Sequence, residues 1–213
     1  MGTLAGMEAT RITELLTPYL PRGPLSDAQL KQVADVLALL LKWNARTNLT
    51  AVRQPEQIVE RHFGESFFAA QHLLAGPVTS TIDLGSGAGF PGLPMAIYAP
   101  SVKFTLIESQ SKKATFLKEA VRTTGLKNVT IYAGRAEDFP GKAELVMMRA
   151  VEKFAVSAAV ATGLVAPGGR LALLISEAQM TAAEQLLPGL RWSVPIAIPK
   201  SNARVLLVGA LPG

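Results

Sequence analysis

The chain has 213 residues, of which 49% are hydrophobic and 17% charged, enough for one sizeable domain with a smaller appendage. Its 21 Lys and Arg against 16 Asp and Glu leave a formal charge of +5, which suits a polyanionic partner such as nucleic acid but equally a mildly basic soluble enzyme. The absence of cysteine excludes disulfides, thiolate metal sites and cysteine nucleophiles, and no apolar run reaches the ~18–20 residues of a membrane span.

The N-terminus, MGTLAGMEATRITELL, lacks a basic start followed by a long apolar stretch. No secretion signal is expected from it, Met1 to Met7 read as a leader or remnant, and a cytoplasmic protein is the default expectation. Residues 1–75 form a predicted helical cap. Ser26 opens a possible capping box with Gln29, and Leu30, Val33, Leu37, Leu40 and Leu41 then recur at helical spacing. Pro55 opens a second helix whose apolar side is Ile58, Val59, Phe63, Phe67 and Leu74, stopped by Gly76 and Pro77.

Residues 76–213 alternate strand and helix. The predicted strands are TSTIDL, KFTLIE, NVTIYA, ELVMM and GRLALLI. The helices between them are GLPMAIYA, SKKATFLKEAVRTTG and KFAVSAAVATGLVA. Nearly continuous apolar strands imply burial on both faces, and the alternation implies right-handed crossovers and a mostly parallel sheet. Two closing strands, WSVPIAI and ARVLLVGA, have little between them and can pair antiparallel; Pro195 makes the first irregular or an edge strand. The expected fold is a doubly wound α/β sheet with an N-terminal helical cap.

The stretch IDLGSGAGFPG carries two overlapping fingerprints. Gly87, Gly89 and Gly92 fit the dinucleotide pattern G-x-G-x-x-G. Asp83, Gly85, Gly87 and Gly89 fit D-x-G-x-G-x-G, the pattern of enzymes that use S-adenosylmethionine. Either way, a turn after the first strand must let backbone approach a ligand, which three alternating glycines permit. Glu108, at the tip of the second strand, can accept both hydroxyls of a ribose, and both cofactors carry one. The third strand leads into RAEDF, where Ala136 and Glu137 can face an adenine edge. One acid after each of three successive strands favours S-adenosylmethionine.

Read together, LKWNARTNLTAV, ERHFGESF, IDLGSGAGFPGLPMAI, FTLIESQSKKATFL, GRAEDF and MMRA resemble the glucose-inhibited division protein B family of ribosomal small subunit methyltransferases. The resemblance runs in order from Leu37 to Val208. It implies a Rossmann-like class I methyltransferase fold, S-adenosylmethionine as cofactor and methylation of nitrogen-7 of one guanine in 16S ribosomal RNA, within the small subunit. Carried over by position, it implies cofactor contacts at Gly85, Phe90, Ala136 and Glu137, with Arg149 at the site floor as the catalytic candidate. After RHF, a leucine or isoleucine followed by Asp-Ser is expected, whereas this chain has Gly64-Glu65-Ser66.

The residues fit that chemistry. Guanine nitrogen-7 has a free lone pair and no proton, so it needs alignment rather than a general base. Covalent carbon-5 methylation of pyrimidines uses a cysteine, and there is none. Exocyclic amine methylation commonly uses an Asn/Asp-Pro-Pro-aromatic turn, where this chain reads Met148-Arg149-Ala150-Val151. Arg149 can address a guanine edge, a phosphate or a cofactor carboxylate; a structural ion pair is the plainer alternative. Arg61, His62, Lys112, Lys113, Arg135, Lys200 and Arg204 are the RNA-binding candidates. Each alone is more often a surface charge, or for His62 a packing residue, and only clustering at one sheet edge would make a groove. Trp43 is read as core packing, with base stacking as the alternative. No metal is expected. The competing readings are an NAD-dependent oxidoreductase using GAGFPG and a non-catalytic RNA-binding protein with a retained pocket.

Overall fold

The computed structural model describes residues 8–149 and 154–212; Met1 to Met7, Ala150 and Val151, on which parts of the sequence reading fell, lie outside them. Five parallel strands form the body of the sheet: β1 (Ser80–Leu84), β2 (Lys103–Ile107), β3 (Val129–Tyr132), β4 (Ala143–Arg149) and β5 (Val165–Ser176). Three more complete it, β6 (Arg191–Trp192), β7 (Ile196–Ala197) and β8 (Arg204–Ala210), in the order β3-β2-β1-β4-β5-β8-β6 with β7 also on β8. β8 runs antiparallel to β5, and β6 and β7 antiparallel to β8. The stretch around Pro195 is therefore an edge strand in two pieces, because proline has no N–H to give the ladder.

The period-2 alternation of β4 shows why the sheet is covered on both sides. Leu145 and Met147 enter one buried cluster, with Phe104, Leu106, Ala172 and Leu174. Val146 and Met148 enter the other, with Ile82, Ile107, Leu171 and Leu173. On the first side lie α1 (Ala9–Leu16), α2 (Asp27–Thr47), α3 (Pro55–Ile58), α4 (Glu65–Leu73), α5 (Gly92–Tyr98) and α6 (Ser111–Thr124). On the second lie α7 (Phe154–Gly163) and α8 (Met180–Leu186). The N-terminal helices thus share one core with the sheet. Phe63 and Phe67 are fully buried in it, each contributing about 1.5–3 kcal/mol of transfer free energy.

α2 begins with the capping box read from Ser26 and Gln29. Trp43 packs edge-on to Phe116 and donates from Nε1 to Glu119 at 2.9 Å, so it belongs to the α2–α6 contact. Three local features differ from the sequence reading. The helix opened by Pro55 is interrupted by a π-turn, Val59–Gly64, between α3 and α4. α7 ends at Gly163, Leu164 turns, and Val165 and Ala166 already belong to β5, which shifts register against β4 before its main run. α8 follows β5 and a 3-10 turn, Glu177–Gln179.

Candidate functional site: two clefts that meet at Gly85

The sheet order reverses at β1, flanked by β2 on one side and β4 on the other, and clefts in such sheets open beyond the strand ends at that point. The glycine loop fills it. Gly85, Gly87 and Gly89 have φ of 70°, 56° and 88°, the left-handed region that side chains disfavour. A Cβ on Gly89 would stand 2.4 Å from Leu93 Cδ1, so this glycine is needed for space as well as angle. Gly85 N and Ser86 N both donate to the Ile107 carbonyl at 3.0 Å, tying the loop to β2.

Asp83 and Glu108 hold that loop from two sides. Asp83 is buried beneath it; its Oδ2 accepts from Gly92 N at 3.0 Å, and it lines neither cleft. Burial pushes its carboxyl up to about 7, against the opposing effect of the Gly92 bond. Glu108 accepts from Gly87 N at 2.9 Å through Oε2 and from Gln110 N at 2.7 Å through Oε1. A carboxylate has about four lone-pair positions, so each oxygen can still accept one more bond. Glu108 faces the first cleft.

That first cleft has a volume of about 550 Å³, within the range of small-molecule sites. Its walls are Gly85 after β1, Glu108 and Ser109 after β2, Arg135, Ala136 and Glu137 after β3, and Val156 and Val160 of α7. The α7 wall was not foreseen, because an alanine- and valine-rich helix reads only as packing.

A second cleft, also about 550 Å³, shares Gly85 and opens on the other side of the glycine loop. Arg61, His62, Phe90, Lys113, Arg149 and Arg204 line it, with Thr50 and Val52 from the loop after α2. Four of the seven RNA-binding candidates, Arg61, His62, Lys113 and Arg204, therefore come together with Arg149. The other three do not. Lys112 lines neither cleft, Arg135 lines the first, and Lys200 lines a neighbouring depression with Tyr19, Arg61 and Arg204, paired there with Glu60 at 2.8 Å.

Glu65 organises the second cleft. It is 1% exposed; its Oε2 accepts from Arg149 Nη2 at 3.0 Å and its Oε1 from Arg204 Nη2. Burial raises the Glu65 carboxyl pKa, and the two guanidiniums oppose that rise; burial likewise lowers Arg149. Arg149 Nη2 also donates to the Arg61 carbonyl at 2.7 Å, inside the π-turn, a helix irregularity that gathers at functional sites. Gly64 precedes Glu65 because a Cβ there would fall 2.6 Å from the Tyr19 ring. His62 tilts over Phe90 at a centroid distance of 4.9 Å. Burial and then the nearby charges of Arg149 and Arg61 push its pKa down to about 3, so it is neutral at pH 7. Among the described residues no cluster of side chains could hold a metal ion, and no helix is long and apolar enough to cross a membrane.

Sheet order, glycine loop and strand-tip acids together define the Rossmann-like class I methyltransferase fold. A solved magnesium protoporphyrin IX methyltransferase from Synechocystis, with bound S-adenosylmethionine, superposes with a TM-score of 0.63 at 14% identity, covering 83% of this chain and 97% of that one. The family described as rRNA small subunit methyltransferase G, GidB, matches residues 29–191. The chain belongs to that family. It is 42% identical over 137 residues to ribosomal RNA small subunit methyltransferase G of Stenotrophomonas maltophilia, covering 63% of each chain. It is 39% identical over 154 residues to the Burkholderia pseudomallei protein of the same name, covering 69% of this chain and 66% of that one. The matches thus span just under two thirds of those relatives' own length.

Proposed function

We propose that this chain transfers the methyl group of S-adenosylmethionine to nitrogen-7 of a guanine in 16S ribosomal RNA of the small subunit, in the cytoplasm. The observation that carries the reading is the meeting of two clefts at Gly85, one walled by Glu108, Ala136 and Glu137, the other by Arg149, Lys113 and Arg204. Membership of the family and the names of its curated relatives support it.

The first cleft fits an adenosyl group. Glu108 has acceptor positions left for two ribose hydroxyls, Ala136 and Glu137 offer an edge for the adenine, and Val156 and Val160 offer an apolar face. When bound, the sulfonium supplies an electrophilic methyl. This chain's part is to aim it: the glycine loop brings backbone close at Gly85, and Phe90 and His62 wall the far side. Guanine nitrogen-7 needs no proton removed, and the second cleft is suited to that, since His62 is neutral and both its ring nitrogens are engaged. Holding nucleophile and methyl in line then supplies the acceleration. Arg149, gripped by Glu65 and the Arg61 carbonyl, is a fixed positive wall rather than a proton carrier. Arg61, Lys113 and Arg204 would track phosphates. Hydride transfer to NAD would need an acid–base group at the junction, and among the described residues His62 there has both ring nitrogens engaged.

Incubation of the protein with labelled S-adenosylmethionine and bare 16S RNA, small subunits or intact ribosomes tests the reading. Nucleoside mass spectrometry is expected to find 7-methylguanosine at one position. Label on an exocyclic amine, or saturable binding of NAD with none of S-adenosylmethionine, would overturn it.

A further inference from the structure

The motif WNARTNLT contributes more than packing. Asn44 is buried in α2, and its amide brackets Thr50: Nδ2 donates to the Thr50 carbonyl and Oδ1 accepts from Thr50 N, both at 3.0 Å. Arg53 ties the same loop to the Asn44 carbonyl at 3.0 Å and to Asn48 Oδ1 at 2.7 Å. Thr50 is thus held at the rim of the second cleft, half-buried and facing it.

The hydroxyl of Thr50 has its roles fixed by its neighbours. Arg149 Nη2 lies 3.1 Å from His62 Nδ1. A guanidinium can only donate, so Nδ1 keeps its lone pair and the ring proton of neutral His62 sits on Nε2. The Arg61 carbonyl also lies near the ring and has a second lone pair to offer, but a proton on Nδ1 would point at the Arg149 guanidinium 3.1 Å away. Nε2–H therefore donates to Thr50 Oγ1 at 2.8 Å. Val52 N donates to the same oxygen at 3.2 Å. A hydroxyl has two acceptor positions and one proton. Both acceptor positions are filled, and no described residue accepts the proton.

We propose that Thr50 is a specificity-determining hydroxyl, donating into the second cleft to the carbonyl oxygen O6 of the target guanine. This rests on the methyl-transfer reading above. Guanine presents O6 beside nitrogen-7 as an acceptor, where adenine presents an amino donor. Two donors would oppose one another with adenine, so Thr50 selects guanine while leaving nitrogen-7 free. A bond to O6 draws electron density from the ring and does not help nitrogen-7 attack. Its effect falls on binding and orientation, and hence mainly on KM.

The test compares wild type, Thr50→Val and Thr50→Ser on RNA carrying guanine or 2-aminopurine at the methylated position. 2-Aminopurine keeps nitrogen-7 and lacks O6. Wild type is expected to lose about 10- to 100-fold in kcat/KM on 2-aminopurine, as for one lost recognition bond. Thr50→Val is expected to lose as much on guanine, chiefly in KM, and to treat the two bases alike; Thr50→Ser should restore discrimination. Full discrimination in Thr50→Val overturns this proposal alone, whereas no methyl transfer by wild type to any RNA overturns the reading beneath it. Nitrogen-15 spectra give a check that needs no activity, with His62 separated from His72 by a His72→Gln variant. They are expected to show His62 bare at Nδ1, and a bare Nε2 overturns the proposal.

Discussion

The two clefts that meet at Gly85 are equal in volume and built in opposite ways. The first is made from the tips of β1, β2 and β3, with loops tied by backbone bonds such as Gly85 and Ser86 to Ile107. The second is made from side chains drawn from far along the chain: Glu65 reaches Arg149 and Arg204 across sequence separations of 84 and 139 residues. The first therefore depends on local backbone conformation, and the second on a buried charge network that exists only once the N-terminal helices are docked.

Breaking that network should produce the largest effect. Glu65→Ala leaves two guanidiniums without their carboxylate, and a loss of about 3–5 kcal/mol is expected in denaturant unfolding. Next comes the glycine loop. Gly89→Ala puts a Cβ at 2.4 Å from Leu93 at a φ of 88°, which should cost about 2–3 kcal/mol. Gly87→Val meets no such crowding, its Cβ neighbour being the Gly85 carbonyl at 3.8 Å. It should fold with a penalty of only about 1–2 kcal/mol from its φ and, because Gly87 N holds the Glu108 carboxylate of the first cleft, lose S-adenosylmethionine binding in calorimetry. Unchanged binding would remove the loop from the donor site.

Smaller effects sharpen the contrast. Because burial raises Asp83 from its ordinary 3.8 to about 7, the folded chain holds that proton more tightly than the unfolded one. Its stabilising contribution is full below about pH 4 and is lost as pH rises to about 7. His62, lowered to about 3 from 6.5, acts in the opposite sense, adding stability as pH rises between those values. Asp83→Asn should remove the first slope and leave the second, measured as unfolding midpoint against pH. Smallest is the lysine pair. Lys113→Ala should reduce the salt dependence of RNA binding by about one counterion, and Lys112→Ala by almost none.

The difference between the clefts also explains what could be read from sequence. The five parallel strands and the glycine loop were legible, because apolar runs and alternating glycines are local signals. So was the α2 start, where Ser26 and Gln29 form the box their spacing implies. The same signal stood unread at Ser176 and Gln179 before α8, whose only buried residue is Ala183, leaving little periodicity. The π-turn was not read from the sequence; the contacts it makes, such as the Arg61 carbonyl to Arg149, join residues 88 positions apart. Lys112 and Lys200 looked equivalent to Lys113 and Arg204 in a charge count, yet a single residue step around α6 takes Lys112 off the cleft wall, and Lys200 is paired with Glu60 outside it. Thr50 could not be singled out before Asn44 and His62 were seen to surround it.

The division of labour between the clefts is tested most directly by calorimetric titration of S-adenosylmethionine into wild type, Glu108→Ala and Lys113→Ala. Glu108→Ala should lose at least tenfold in affinity, and Lys113→Ala should match wild type. Undiminished binding in Glu108→Ala, or its loss in Lys113→Ala, would contradict the assignment of the donor to the first cleft.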